Sequence, residues 1–183
     1  MLLFSPKYKF TEIDWNDKKM KIDAFEDSVK EFYLKPAHNI NMNGCGFATG
    51  LLCLTTIDVL ARIASGKEKV DKTDYKGWVK DNIPEFNDEL ALRLYENFRC
   101  GLVHEGRIKN CGQFSYDINT IVDVANGVML INSHLLLGRI IEALQEYINN
   151  IRKNDETFRK FSTSLIRDFK NDIHVARIIT ARS

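Results

Sequence analysis

The sequence predicts a mostly α fold, a helical bundle of about five helices with one small β-hairpin set into it. Three observations predict it. Apolar residues recur at i, i+3 and i+4 along most of the chain, the periodicity of one face of a helix. The segment 45–64 is the most apolar stretch and has the length of a complete buried helix. Asn126-Gly127 lies between the apolar runs 121–124 and 128–131, and Asn-Gly in that setting is the strongest short-range hairpin signal. The repeated strand–helix alternation of a parallel α/β fold is absent.

A chain of 183 residues suits a single domain, 1–183, large enough for a real core. A net charge of +1 excludes a global basic field, so any nucleic-acid surface must be a local patch. The start, Met-Leu-Leu-Phe-Ser-Pro-Lys, is too short and too soon interrupted for a signal peptide. Cys45, Cys53, Cys100 and Cys111 form no C-x-x-C pair and no metal-finger spacing, and free thiols in a reducing cytoplasm are expected. The spacing of potential ligands implies no metal site.

Residues 1–20, with Phe4, Tyr8, Phe10 and Trp15 among polar neighbours, read as an irregular arm or short strand lying over the core. A first helix is expected over about 21–35, with Phe25, Val29, Phe32 and Tyr33 on one face and Pro36 ending it or following its last turn. His38 then falls in a loop with Asn39, Asn41, Asn43 and Gly44. Gly44, Gly46 and Gly50 lack the preceding strand and following lysine of a phosphate loop, so they read as the start of a closely packed helix. That helix, 45–64, is about as long as a membrane span, but Asp58 and Arg62 interrupt it. It is expected to be the central buried helix, with Asp58 and Arg62 paired four residues apart on an exposed edge.

The charged turn 65–69 ends it, a short helix is expected over 74–80 with Trp78 inward, and Asn87 or Asp88 caps the next helix from 89 or 90. Phe114, Tyr116 and Ile118 alternate with polar residues, and the hairpin is placed within 113–131. The alternative is a continuous helix from Ile118 with Asn126-Gly127 as a defect. Asn132 or Ser133 caps a long helix over about 134–153, whose first turn holds His134. Asp155 is expected to cap a last helix bearing Phe158, Phe161, Leu165, Phe169 and Ile173 on one face. Residues 152–183 hold eight basic and four acidic side chains, either an RNA-facing surface or a solvated face laced with i,i+4 pairs.

The stretch 90–106 carries the chemistry. Leu90, Leu94 and Phe98 form a helical stripe that runs into Arg99 and His104. Arginine offers a permanent charge and a planar fork suited to phosphate oxygens. Histidine gives or takes a proton near neutral pH. Together they could hold a phosphate and move a proton. Five residues of ideal helix rise about 7.5 Å and turn about 140°, however, so the two side chains do not share a face unless the arginine swings over or the helix loosens at Gly101. The alternative is a helix C-cap beside a surface residue.

Arg99-x-x-x-x-His104, within Phe98-Arg99-Cys100-Gly101-Leu102-Val103-His104-Glu105, resembles the R-x4–6-H signature of the HEPN superfamily, the "higher eukaryotes and prokaryotes nucleotide-binding" helical domains. The resemblance implies a helical bundle that pairs as a homodimer, bringing two copies of Arg99 and His104 into one cleft. It implies a metal-independent endoribonuclease without a cofactor, in which the RNA 2′-hydroxyl attacks the adjacent phosphorus to leave a 2′,3′-cyclic phosphate. Toxin–antitoxin or phage-defence roles follow, with an antitoxin or defence complex as partner, a cytoplasmic location and no membrane. Asn97 and Glu96, one turn before the motif, and Arg107 and Lys109, just after it, are the candidate substrate-binding residues. The residue after the arginine is often polar in active members and is Cys100 here. The alternatives are a non-catalytic HEPN-like module that binds a nucleotide, an RNA or a protein, and a helical module that only mediates dimerisation.

Overall fold

The computed structural model describes residues 2–181. Its eight α-helical segments and three π-helical turns join into seven continuous helices, with a small three-stranded sheet between the fourth and fifth. The mostly α expectation holds, with seven helices in place of about five.

The arm folds back on itself through a bridge between Leu3 and Lys9. It buries Phe4, Phe10 and Trp15 against one another and against Phe169. Helix α1 (Lys18–Val29), capped by Asp17, runs through a π turn, π1 (Lys30–Leu34), into α2 (Lys35–Asn41). Pro36 therefore does not end the helix. The Lys35 N–H reaches five residues back to the Lys30 carbonyl, and that widened turn lets the chain absorb a proline, which has no N–H and crowds the preceding turn. His38 consequently lies on α2, not in a loop.

Helix α3 (Gly46–Ser65) is the central helix and packs against α2, α4, α6 and α7. It alone among the described helices is long and apolar enough to cross a membrane, and Leu54, Ile57 and Leu60 are buried in the core with Leu136, Ile140, Phe161 and Leu165. Gly66, at φ 72°, ends it in the left-handed region where glycine costs least. Asp58 and Arg62 do not pair with each other. Arg62 grips Asp168 through two hydrogen bonds, 2.7 and 3.1 Å, and Asp58 is taken by Arg99.

Helix α4 (Lys72–Asn82), started by an Asp71–Asp74 capping box, leads to α5 (Asp88–Arg93), capped by Asn87. The sheet comprises β1 (Gln113–Phe114), β2 (Val122–Ala125) and β3 (Val128–Ile131) in the order β1-β3-β2. β2 and β3 form the expected antiparallel hairpin. Asn126 and Gly127 both take positive φ, 52° and 80°, as a two-residue hairpin turn requires. Strand β1 stops at Phe114 and joins β3 in parallel, so Tyr116 and Ile118 lie beyond it. Arg93 donates to the Gly127 carbonyl, tying the hairpin tip to α5.

Asn132 caps α6 (Ser133–Lys153) by accepting from the His134 and Leu135 amides. Asn154, not Asp155, caps α7 (Asp155–Asp168); Asp155 pairs with Lys18 instead. The expected last helix breaks at Phe169, whose φ of −104° and ψ of 16° leave the helical region, and α8 (Lys170–Ala181) follows. The basic C-terminal segment is neutralised only in part. Arg152 binds Asp23 and Glu26, Lys160 binds Glu156, and Arg167 binds Asp168.

Gly50 marks the tightest helix–strand approach, because a Cβ there would meet the Phe114 ring at 2.0 Å. Gly50→Ala should cost about 1–3 kcal/mol in urea unfolding as Phe114 is displaced. Burial pushes the Asp168 carboxyl up, but Arg62 and Arg167 more than cancel it and hold it below 3.8. Its stabilisation is present above the unfolded-state value and lost as pH falls through the lower folded one. The acid limb of stability below about pH 4 should therefore flatten in Asp168→Asn, checked by thermal melts across pH.

Candidate active site

The candidate site is built where α5 stops being an α-helix. It continues as π2 (Leu94–Arg99) and, after Cys100, as π3 (Gly101–Glu105). The Cys100 amide donates to Tyr95 and the Gly106 amide to Gly101, five residues back in each case. Residues five apart then lie nearly above one another, instead of about 140° apart as in a regular helix. Arg99 and His104 are five apart. The Arg99 Nη1 donates to His104 Nε2 at 3.2 Å, within one chain and without help from a second copy. In that arrangement the ring proton sits on Nδ1, as assigned from the hydrogen-bond network.

The loop that follows holds the widened turns in place. The Asn97 carbonyl accepts from the Lys109 amide at 2.9 Å, and the Gly101 carbonyl from Arg107 at 3.2 Å. Gly101 allows the loop this close, since a Cβ there would lie 2.4 Å from the Arg107 oxygen. Asn110 and Cys111 take successive positive φ values, 50° and 58°, which L residues adopt at a cost. The Asn110 side chain donates to Asn97 Oδ1 at 2.8 Å and secures that strained turn.

Asp58 completes the cluster from α3. Its Oδ2 accepts from Arg99 Nε at 2.8 Å, with the Asp58 and Arg99 side chains only 29% and 22% exposed. Burial pushes the Asp58 carboxyl above its ordinary value, by more than the Arg99 guanidinium pulls it down. Burial disfavours the Arg99 charge as well, but the Asp58 hydrogen bond and charge outweigh it and hold the guanidinium more firmly protonated. The guanidinium also lies 5.5 Å from the Tyr95 ring centroid, and Tyr95 meets the buried Tyr75 edge-to-face. Nη2 makes no hydrogen bond among the described residues.

The other expected site residues are placed differently from one another. Asn97 is buried and committed to Asn110, so it braces the loop. Glu96 is exposed and paired with Lys72 at 3.0 Å, away from the Arg99–His104 pair. Arg107 and Lys109 both bind Glu105, next to His104, and Lys109 first, then Arg107, hold that carboxyl below its usual range. His134 lies elsewhere, hydrogen-bonded to Asn41 at 2.7 Å. Among the described residues, no three His, Cys, Asp or Glu side chains group so as to hold a metal ion. All four cysteines are free, and burial pushes the Cys53 thiol up to about 12.

Asp58 is the residue that sequence reasoning missed. A carboxylate on an otherwise apolar, buried helix needs a cation, and that was its signal; the arginine four residues along was the wrong partner. Comparison of the chain with known protein families, curated proteins and solved structures returned no match.

The Asp58–Arg99 pair is partly buried, so its worth should lie between that of an exposed pair and the larger cost of breaking a fully buried one. A double-mutant cycle of Asp58→Ala and Arg99→Ala, read by urea unfolding, should give a coupling of about 1–2 kcal/mol.

Proposed function

We propose that this protein is a metal-independent endoribonuclease of the HEPN type. The contact that carries the proposal is Arg99 Nη1 to His104 Nε2 at 3.2 Å, with Asp58 fixing the opposite edge of the guanidinium. It supports the reading because a phosphate-binding fork and a proton-transfer group stand side by side, half-buried and exposed respectively.

In the proposed reaction the RNA 2′-oxygen attacks the adjacent phosphorus. The P–O2′ bond forms as the P–O5′ bond breaks. As Arg99 Nη1 turns from His104 to the phosphate oxygens it frees the Nε2 lone pair, which takes the 2′-hydroxyl proton, and the 5′-oxygen leaves with a proton from solvent or from a second imidazolium. Arg99 stabilises the charge that develops on the non-bridging oxygens. Since the substrate supplies its own nucleophile, the scheme needs no activated water. The products are a 2′,3′-cyclic phosphate and a 5′-hydroxyl.

Arg107 and Lys109 would meet the substrate beside this pair once released from Glu105, and Glu96 would act only after leaving Lys72. Pairing as a homodimer belongs to the same proposal: Val103, 47% exposed beside His104, is an apolar group that a second copy could cover. A cytoplasmic toxin or defence role, restrained by an antitoxin or partner, follows from the resemblance.

A second reading is a nucleotide- or RNA-binding module without catalysis. Cys100 favours it: its sulfur lies 3.9 Å from Arg99 Nη1, where a stronger polar group would aid catalysis.

RNA cleavage in EDTA tests the first against the second. The wild type should cut RNA and leave cyclic phosphate ends. His104→Ala should lose about 10²–10⁴-fold and Arg99→Ala about 10²–10³-fold, with folding confirmed by circular dichroism. Intact RNA bound by the folded wild type would leave the binding module in its place.

A further inference from the structure

An open cleft of about 730 Å³ lies between the start of α3 and the loop that follows His104. Its walls include Gly46, Phe47, Arg107, Phe114, Tyr116 and Asp117. None of these except Arg107 was singled out as a binding residue by the sequence.

Four features of the cleft fit a nucleobase and its phosphate. Phe47 and Tyr116 are 51% and 42% exposed, large aromatic surfaces that the core leaves uncovered. They are not loose: Phe47 meets Phe114 edge-to-face at 6.4 Å, and the Tyr116 hydroxyl donates to Asn41 Oδ1 at 3.0 Å. Asn41 is in turn held by His134, so the Tyr116 ring is fixed before any ligand arrives. Arg107, exposed and paired with Glu105 at 2.8 Å, lines the cleft, and Asp117 offers an acceptor for a base amino group. The first turn of α3 opens here with no side-chain cap at Cys45, leaving backbone N–H groups for a phosphate oxygen. Fixed aromatic faces with a guanidinium beside them are how unpaired bases are held.

The cleft is joined to the Arg99–His104 pair. Gly106 and Arg107 line it and follow directly from π3, and Gly46 and Asp58 stand about 18 Å apart on α3. We propose that this cleft is a base-binding subsite, which takes an unpaired base a few nucleotides from the phosphate held at Arg99 and His104. The inference rests on the ribonuclease reading above and adds the requirement that the RNA be single-stranded there.

The test measures binding without cleavage, by fluorescence anisotropy of a labelled single-stranded RNA with the full-length His104→Ala protein. Adding Phe47→Ala should weaken binding about tenfold or more, and Phe47→Trp should restore it. Duplex RNA of the same sequence should compete poorly. Equal affinities for the Phe47 variants, or a duplex that competes as well as the single strand, would overturn the subsite and leave the ribonuclease reading standing. Loss of binding in Phe47→Ala, together with a wild type that cuts nothing, would leave the subsite and overturn the ribonuclease reading. A folded protein that binds no single-stranded RNA would overturn both.

Discussion

The ion pair between Asp58 and Arg99 joins the most buried helix to the one whose backbone departs from α-helical geometry. Asp58 is a carboxylate on the apolar central helix, and burying it alone would be costly. Arg99 offsets that cost only because π2 delivers its guanidinium to the right place. In turn the pair holds the guanidinium at its Nε edge, while Nη1 reaches His104. The site is thus set by the packing of α3 against π2, and not by the motif helix acting alone.

The π turns themselves need support from outside the helix. The loop 106–112 ties itself to the widened turns: the Lys109 amide donates to the Asn97 carbonyl, and the Arg107 amide shares the Gly101 carbonyl with that of Gly106. That loop contains two successive left-handed residues, Asn110 and Cys111, a conformation that costs on the order of 1–3 kcal/mol per residue. The Asn97–Asn110 hydrogen bond and the fit of Gly112 against Phe98 repay part of it. Strain held next to a histidine–arginine pair, by contacts that have no other evident use, is the pattern expected of a preorganised site.

What could be read in the sequence was whatever is decided locally. The composition of 45–64 marks the buried helix, Asn126-Gly127 marks the hairpin, and Asn87 and Asn132 mark helix starts. What could not be read was decided by partners distant in the chain. A periodicity argument assumes a fixed turn, and it separated Arg99 from His104 when the widened turns bring them together. Pro36 reads as a helix end because nothing local announces that π1 will accommodate it. Asp58 was assigned to the cation four residues along, while the fold offered Arg62 the two-oxygen grip of Asp168 and left Asp58 to Arg99. Asp155 lost the capping position to its neighbour Asn154 and paired with Lys18, on a helix at the other end of the sequence.

Electrostatics bears on how such a site could hold RNA. The C-terminal basic segment spends Arg152, Lys160 and Arg167 on carboxylates, and Glu105 sits between Arg107 and Lys109 beside the motif. Lys153, Arg159, Lys170 and Arg177 of that segment make no salt bridge among the described residues, but a net charge of +1 over the whole chain leaves no broad positive field to attract a polyanion. On the ribonuclease reading, affinity for RNA would lean on short-range contacts: the half-buried guanidinium of Arg99, the open first turn of α3, and the rings of Phe47 and Tyr116. On the proposed reading each would recognise one phosphate or one base at short range. A surface of this kind discriminates by local shape and strandedness, whereas a broad positive field would attract any nucleic acid.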